Sequence, residues 1–296
     1  MHRITWRLNQ FQKMVTTNRD DLLSRYNYFL TREPKKWGWV NSGHHVEQNI
    51  VSQLARVGIQ LVDFNIDVAE YHAYFEQAEY TKRYPMYFYP KRIIEKSLEH
   101  FIAQKLLQLT PQDIYIDIAS DHSPVPEIYH RLYGCKTFAQ DLIYPPGLHD
   151  DRIGGNASEL PFDEGAITKM ALHCSFEHFE GDSDIGYIRE CVRVLAPGGR
   201  VVIVPLYLSD TYGIHTNPLK ARENPDVFET DAVVGFIKGW SHPFGRTYDP
   251  AHLWSRVIAN GRGLDFTLFS IQNAKQVDES CYVRYALLIS KPIAPA

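Results

Sequence analysis

The sequence predicts an α/β fold in which a mostly parallel sheet ends in an antiparallel hairpin. From Asp113 onward, β-rich runs such as IYIDI alternate with helical segments at the spacing of βαβ units. The last two strands, LDFTLFSI and CYVRYALLISK, have only QNAKQVDES between them, so they should pair as a hairpin. A mainly helical, aromatic-rich extension precedes this domain.

We place the domain boundary at residue 90, with residues 1–90 as the extension and residues 91–296 as the α/β domain. The extension contains a basic, tryptophan-rich turn, KKWGW, at Lys35–Trp39. Its VAEYHAYFEQAEY segment predicts a helix because four residues recur at helical spacing: Val68, Tyr71, Phe75 and Ala78. A second helix should follow Pro90. We expect the extension to be a lid or a substrate wall.

The first half of the α/β domain should alternate strand, helix and strand. IYIDI is a strand of the buried parallel type, and PVPEIYHRLYG is a short helix that Gly134 ends in the left-handed conformation. CKTFAQD predicts a second strand, followed by a loop at residues 145–147 and a short strand near Asp151–Gly154. AITKMALHC predicts the next strand.

The second half should begin with an amphipathic helix, SDIGYIRECVRVL. Its inward stripe is predicted to be Ile185, Ile188, Cys191, Val192 and Leu195. APGG then makes a turn into the apolar strand RVVIVPLYL. After Leu208 we expect a long insertion, with helices near Val227–Gly239 and around Asp249–Ala259.

The composition argues against several classes of protein. The 296 residues carry a formal net charge of −4, so nothing marks a nucleic-acid-binding protein. The four cysteines form no CxxC pair, which argues against a disulfide framework or a zinc knuckle. The N-terminus lacks an apolar signal region, and the apolar runs are too short to span a bilayer. We expect a cytoplasmic protein with no membrane or nucleic-acid partner, and its oligomeric state stays open.

Three blocks of the sequence resemble the core of the class I S-adenosylmethionine-dependent methyltransferases, near the methyltransferase type 11 group. GNASELPFDEGAITKMALHCSFEHF (Gly155–Phe179) is similar to the family's GDAxxLPFxDxxFDxVxxxxxxEH block. RVLAPGGRVVIV (Arg193–Val204) is similar to RVLKPGGxLxI, and YIDIAS (Tyr115–Ser120) stands where the first strand and cofactor loop should be. The resemblance implies a Rossmann-like sheet and methyl transfer from S-adenosyl-L-methionine to a small-molecule or biosynthetic-intermediate acceptor.

The resemblance also implies a cofactor site across the carboxyl ends of the first strands. Asp141 would hold the two ribose hydroxyls, because a carboxylate can accept two hydrogen bonds at once. Asn156 falls where the family has an Asp beside the adenine. Both residues have a structural alternative, since Asp and Asn often stabilise turns. The full set is Asp117, Ala119, Ser120, Asp121, Asp141, Leu142, Asn156, Ala157 and His173.

The first cofactor loop departs from the family's DxGxGxG pattern. Residues Asp117–Pro124 read DIASDHSP and contain no glycine. Ala119 and Ser120 are small, and Asp121 tolerates the left-handed region better than most residues. Backbone N–H groups at the following helix could still hold the cofactor's carboxylate. The alternative is a catalytically inactive methyltransferase-like binding or scaffold protein.

Histidines are the candidates for a general base, because their pKa lies near neutrality. We predict His178 and His173, with Glu177, as the catalytic group; His242 is a further candidate, and each histidine could instead be structural.

In HCSFEH the first His and the Glu are four residues apart, which does not match a zinc-binding helix, so no metal is predicted. A nicotinamide-dependent oxidoreductase is disfavoured by the absence of GxGxxG and by the terminal hairpin.

Overall fold

The computed structural model describes residues 44–84, 92–216, 229, 231–236 and 242–293. The turn predicted at Lys35–Trp39 lies outside these residues. The first described elements are α1 (His44–Arg56), β1 (Leu61–Phe64), α2 (Val68–Ala78) and α3 (Tyr80–Arg83). Helix α2 confirms the helix predicted there: the Asp67 side chain caps its first turn, and it buries Tyr71, Tyr74 and Ala78.

The central part of the chain alternates helices and strands as predicted. Its elements are α4 (Ile93–Leu107), β2 (Ile114–Ile118), α5 (Val125–Tyr133), β3 (Lys136–His149), β4 (Arg152–Gly154), β5 (Ile167–His173), α6 (Ser183–Val194) and β6 (Leu195–Val204). Gly134 ends α5 with a φ of 72°, which confirms the predicted left-handed cap. Residues 196–199, predicted as a turn, belong to β6, where Gly198 has a φ of 80°.

The chain then forms an insertion and returns to the sheet. The remaining elements are β7 (Gly213–Thr216), β8 (Val233–Phe236), β9 (Gly245–Thr247), α7 (Pro250–His252), β10 (Asp265–Ile271), α8 (Ala274–Val277) and β11 (Tyr285–Ser290). Helix α7 continues through further helical turns to Asn260, as predicted for this segment. Strands β8, β7 and β9 make a small separate sheet in that order.

The main sheet has the order β1-β10-β11-β6-β5-β2-β3-β4. Strands β6, β5, β2, β3 and β4 pair in parallel, whereas β11 is antiparallel to both β10 and β6. The predicted fold class and terminal hairpin are therefore confirmed. Strand β1, which lies within the predicted extension, pairs in parallel with β10 at the sheet edge.

Alternate residues of the strands pack on opposite faces of the sheet, as a period of two requires. Ile116, Met170 and Ile203 belong to one buried cluster, whose helical part includes Ile50 and Tyr187. The neighbouring strand residues Tyr115, Ala171 and Val202 belong to the second cluster, against which Phe101 and Ile128 of α4 and α5 pack. Helices therefore cover both faces of the sheet.

Two predicted elements are wrong in detail. The helix expected near Val227–Gly239 is contradicted at Val233–Phe236, where consecutive valines form a strand that pairs with β7. The loop expected at residues 145–147 is extended instead. This second half of β3 folds back on β4, so that Leu148 lies beside Ile153 and His149 beside Arg152.

The buried stripe of α6 also differs from the prediction. Ile185 and Val192 are only half-buried, whereas Asp184 and Glu190 are buried together with Tyr187, Ile188, Cys191 and Val194. Glu190 is buried because it accepts the Leu160 amide and pairs with Arg193, whereas Asp184 is buried because the insertion covers the first turn of the helix. There the Asp184 carboxylate accepts hydrogen bonds from Tyr248 Oη at 2.7 Å and Arg256 Nε at 2.9 Å, and it lies 2.9 Å from Arg246 Nη1.

We expect Asp184→Asn to lower the free energy of unfolding by about 3 kcal/mol, because it leaves the buried guanidinium groups of Arg246 and Arg256 short of negative charge. Urea unfolding followed by circular dichroism measures the change. The control is Asp182→Asn, which removes a carboxylate that also pairs with Arg256 but is 82% exposed, so less than about 1 kcal/mol should be lost. Equal losses in the two variants would contradict the assignment of Asp184 as the anchor.

Candidate functional site

The candidate site lies at the edge of the sheet where the strand order reverses. Strands β3 and β4 lie on one side of β2, and β5 and β6 lie on the other. Because these strands are parallel, their carboxyl ends meet at one edge. Open α/β sheets bind ligands in the crevice outside such an edge.

The loop after β2 turns through the left-handed region without glycine. Ala119 has a φ of 51° and Asp121 a φ of 49°. These are the first two positions at which the DxGxGxG pattern has glycine, the residue that adopts this conformation at little cost. The loop therefore keeps the backbone shape that the glycine pattern favours, although its side chains differ.

The next strand holds this loop by three consecutive backbone amides. The Ala119 amide donates to Gln140 Oε1 at 3.0 Å, and the Ser120 amide donates to the Gln140 carbonyl at 2.9 Å. The Asp121 amide donates to Asp141 Oδ2 at 2.7 Å. Gln140 also donates from Nε2 to the Gly155 carbonyl at 2.6 Å, so it joins the first loop to the segment after β4.

Gln140 was missed by sequence reasoning, although it is almost completely buried and both ends of its amide are bonded. No motif marks a Gln at this position. Its only signal is its place immediately before Asp141, at the end of a predicted strand.

Asp141 ends the regular part of β3 beside the first loop. Besides the Asp121 amide on Oδ2, it accepts the Ile143 amide on Oδ1 at 3.1 Å. A carboxylate oxygen has two lone pairs, so each oxygen can accept one more hydrogen bond. Leu142, also predicted at the site, is 68% exposed.

Tyr144 lies over the first loop. It is buried, its hydroxyl donates to the Asp121 carbonyl, and the same hydroxyl lies 3.4 Å from Ser120 Oγ. The side chain of His122, in contrast, is 76% exposed and does not fill the space beside the loop. Among the predicted loop residues, Ser120 is buried and Asp121 is exposed.

The segment after β4 presents Asn156 and Ala157. Ala157 is buried, whereas Asn156 is exposed and accepts the Ser158 amide on Oδ1 at 3.0 Å. The Asn156 side chain therefore makes the turn that was the structural alternative for it. Through Gly155 and Gln140, this segment is connected to the first loop.

Asp117 and His173 form a buried pair across β2 and β5. His173 Nδ1 lies 2.9 Å from Asp117 Oδ1, and the two side chains are 6% and 1% exposed. The Tyr115 hydroxyl donates to the same carboxylate oxygen at 3.3 Å. Asp117 Oδ2 and His173 Nε2 are buried and have no hydrogen-bond partner among the described residues. An unpaired buried polar atom costs about 1–3 kcal/mol, so a bound water or a ligand is expected to complete the hydrogen bonds of these two atoms.

A cluster of buried polar residues continues from the end of β5 towards α4. Cys174, with a φ of 52°, donates from Sγ to Glu177 Oε1 at 3.3 Å and lies 3.4 Å from the Tyr207 hydroxyl. On α4, Lys96 donates to both carboxylate oxygens of Glu99. Burial raises the pKa of the Glu99 carboxyl, against the opposing attraction of Lys96. Burial also raises the pKa of Cys174 to about 12, so this thiol stays protonated at neutral pH.

The other two candidate histidines lie against the insertion. His178 Nδ1 is 2.7 Å from the Phe244 carbonyl, and its ring stacks on His242 with 4.2 Å between centroids. Glu177 connects His178 to the buried polar cluster at the end of β5. Its Oε1 accepts a hydrogen bond from Cys174 Sγ and lies 3.6 Å from His178 Nε2. Phe176–His178 is a single 3₁₀ turn.

In the described part of the chain, no three His, Cys, Asp or Glu residues are grouped so that they could hold a metal ion.

The structure thus brings the predicted residues together in two groups. The first loop, Asp141 and the segment after β4 are joined by hydrogen bonds. The second group is centred on the ends of β2 and β5, where Asp117 contacts His173. His178 faces the insertion instead, and it is connected to the second group only through Glu177.

A family described as a methyltransferase domain matches residues 133–203. The matched segment runs from the end of α5 to β6 and includes Gln140, Asp141 and His173. The match confirms, for this segment, the resemblance inferred from the sequence blocks. No curated protein matches the chain by sequence.

Several solved structures are similar to the chain at low identity. A Burkholderia thailandensis 1,6-didemethyltoxoflavin-N1-methyltransferase, crystallised with 1,6-didemethyltoxoflavin and S-adenosylhomocysteine, is 16% identical; the alignment covers 79% of this chain and 95% of that one, with a TM-score of 0.45. A Haloferax volcanii complex of the Trm112 methyltransferase activator with a methyltransferase gives 14% identity, coverage of 77% and 98%, and a TM-score of 0.44.

A third similar structure is the geranyl diphosphate C-methyltransferase of Streptomyces coelicolor A3(2), in complex with Mg²⁺, geranyl diphosphate and S-adenosyl-L-homocysteine. It is 14% identical, with coverage of 67% of this chain and 80% of that one and a TM-score of 0.39.

Within the described residues of the present chain, no helix is both long enough and apolar enough to cross a membrane.

We expect Gln140→Met to lower the free energy of unfolding by about 2 kcal/mol, because it leaves the Ala119 amide and the Gly155 carbonyl without their partners. Urea unfolding measures the loss. The matched control is Gln77→Met at an exposed position of α2, where the change should stay within about 0.5 kcal/mol. If both variants were as stable as the wild type, Gln140 would not be what holds the loop.

Proposed function

We propose that this chain transfers the methyl group of S-adenosylmethionine to a small-molecule acceptor, at the carboxyl edge of strands β2 to β5. The observation that carries the proposal is the junction of the first loop with the end of β3. There the loop has the left-handed backbone conformation that a glycine loop would adopt, and the Asp121 amide donates to Asp141 Oδ2 at 2.7 Å. This junction lies where the strand order reverses, the position at which such sheets bind ligands.

The residues at this junction fit the cofactor by their chemistry. Asp141 has one free lone pair on each carboxylate oxygen for a pair of vicinal ribose hydroxyls. Asp117, Ala119, Ser120 and Asp121 would lie along the methionine part, and Leu142, Asn156 and Ala157 along the adenine. When bound, the cofactor supplies a methyl group that is already activated by a sulfonium.

Positioning of the acceptor can then supply much of the rate, because the methyl donor needs no further activation. His173, Glu177 and His178 are the proposed catalytic residues. They lie at or just beyond the end of β5, and His173 is the one whose ring is fixed by a buried carboxylate. Residues 1–90 are proposed to contribute a lid or wall to the acceptor site.

Isothermal titration calorimetry with S-adenosylhomocysteine tests the proposal. The wild-type chain should bind it saturably. Asp141→Ala should weaken binding by about 1.5–3 kcal/mol, roughly 10- to 150-fold, which is the range for hydrogen bonds to a charged group. Asp151→Ala is the matched control, because Asp151 is exposed and lies between β3 and β4. Its backbone carbonyl, which the substitution keeps, accepts a hydrogen bond from the Ala139 amide. Its affinity should be unchanged.

Two outcomes would contradict parts of this account. No heat from the wild-type chain at millimolar ligand would favour the inactive scaffold, an alternative supported by the loop amides already being bonded within the chain. Wild-type affinity in a folded Asp141→Ala variant would show that another group holds the ribose.

A further inference from the structure

We propose that Glu177 binds a positively charged group of the acceptor, so that the acceptor is an organic cation such as a protonated amine. This inference rests on the proposed methyl transfer and names the charge class of its acceptor. It starts from a buried carboxylate oxygen: Glu177 is 8% exposed, and its Oε2 has no hydrogen-bond partner among the described residues. Because proteins normally pair their buried polar atoms, the missing partner is a molecule from outside the chain.

Glu177 lies on the side of the site that the proposed cofactor leaves free. The proposed cofactor residues follow β2, β3 and β4, whereas Cys174 follows β5 and Tyr207 follows β6, on the opposite side of the strand-order reversal. Cys174 Sγ donates to Glu177 Oε1 at 3.3 Å and lies 3.4 Å from Tyr207 Oη. Since Cys174 directly follows His173, a group held by Glu177 lies beside the proposed reaction centre and away from the cofactor's strands.

The neighbouring Glu99 shows how the chain completes a buried carboxylate in this cluster. Glu99 is fully buried and accepts hydrogen bonds from Lys96 Nζ on both oxygens, at 2.7 and 2.9 Å. Among the described residues, the ion-pair partner of Glu177 is instead a histidine, His178. A buried carboxylate without a counter-charge is strongly destabilising. A ligand ammonium would give Glu177 the kind of partner that Lys96 gives Glu99.

His178 does not supply this counter-charge when its ring is neutral. Its Nδ1 lies 2.7 Å from the Phe244 carbonyl, and a carbonyl can only accept, so Nδ1 carries the proton. In the neutral ring, Nε2 then has a lone pair and lies 3.6 Å from Glu177 Oε1. Two acceptor atoms do not attract each other, so Glu177 still requires a cation.

The surroundings of Glu177 disfavour additional negative charge. Burial, together with the charges of Glu177 and Glu99, raises the pKa of the Cys174 thiol to about 12. Burial and the neighbouring Cys174 and Glu177 raise the pKa of Tyr207 as well. Both groups are therefore protonated at neutral pH. An anionic acceptor would meet the same desolvation and the same repulsion, whereas a cationic acceptor is attracted.

Two tyrosine rings accompany the carboxylates. Tyr207 lies beside Cys174, and the ring centroid of Tyr282 is 5.8 Å from Lys96 Nζ. The faces of aromatic rings attract cations, so rings and a carboxylate together favour an ammonium group over a neutral donor. Tyr282 is 40% exposed, so this cluster reaches the protein surface.

The test compares amines with neutral alcohols of the same shape, on the full-length protein saturated with S-adenosylhomocysteine. The probes are tyramine against tyrosol and benzylamine against benzyl alcohol, in ligand-observed NMR titrations. At about pH 7.5 both amines are protonated, as the lysine side chain is. We expect at least one amine to bind roughly tenfold more tightly than its alcohol, the scale of a hydrogen bond to a charged group. No preference for either amine would overturn the proposal, and this comparison requires no variant.

Glu177→Gln keeps the shape of the side chain and an acceptor for Cys174 but removes the charge. It should abolish the preference for the amine and leave the affinity for S-adenosylhomocysteine unchanged. The control is Glu279→Gln, which removes an exposed carboxylate between α8 and β11 and keeps the backbone carbonyl that accepts from Lys275. It should keep the wild-type preference. Equal losses in the two variants would show a general attraction of amines to an acidic protein and would overturn the assignment.

Calorimetry with S-adenosylhomocysteine on the same samples separates this inference from the proposed function. If the wild-type chain does not bind S-adenosylhomocysteine, the proposed function fails and the acceptor class fails with it. If S-adenosylhomocysteine binds saturably but amines and alcohols bind equally, only the charge class of the acceptor fails.

Discussion

The candidate site depends on one constraint: the chain must turn twice through the left-handed region in a loop that has no glycine. The turns at Ala119 and Asp121 cost roughly 1–2 kcal/mol for an ordinary residue. Strand β3 compensates, because Gln140 and Asp141 bind the amides of three consecutive loop residues. The loop shape is therefore fixed by two residues of the neighbouring strand, through both side chains and one backbone carbonyl, instead of by the backbone freedom of glycine. The same carboxylate that fixes the loop is the one proposed to hold the ribose.

A second set of polar contacts ties the insertion to the sheet. Asp184 on α6 binds two guanidinium groups, Arg246 of the small separate sheet and Arg256 of the helical turns that follow α7. Because Arg246 lies in β9, the neighbouring Phe244 carbonyl is brought to His178. These contacts fix the insertion beside His178. His173, in contrast, contacts a residue of the main sheet, Asp117 on β2.

Local sequence patterns predicted most of the fold but not the contacts that shape the site. The alternation of strands and helices, the Gly134 cap and the terminal hairpin all follow from periodicity and turn residues, and they are confirmed. The helix predicted at β8 is wrong because a short apolar run has no clear period, and the pairing of β8 with β7 is not local in sequence. Gln140 meets Ala119, and Asp117 meets His173 across 56 positions, only because their strands are neighbours. Such pairings depend on strand order, which no local pattern encodes.

The central claim is that the end of β3 serves the first loop and the cofactor together. The most direct measurement is a crystal structure of the chain grown with S-adenosylhomocysteine. The account predicts both ribose hydroxyls at hydrogen-bond distance, about 2.7 Å, from the Asp141 oxygens, with the loop still held by Gln140. A ligand bound elsewhere would contradict it. So would a structure at saturating ligand concentration in which Tyr144 and the loop are unchanged and no ligand lies beside Asp141.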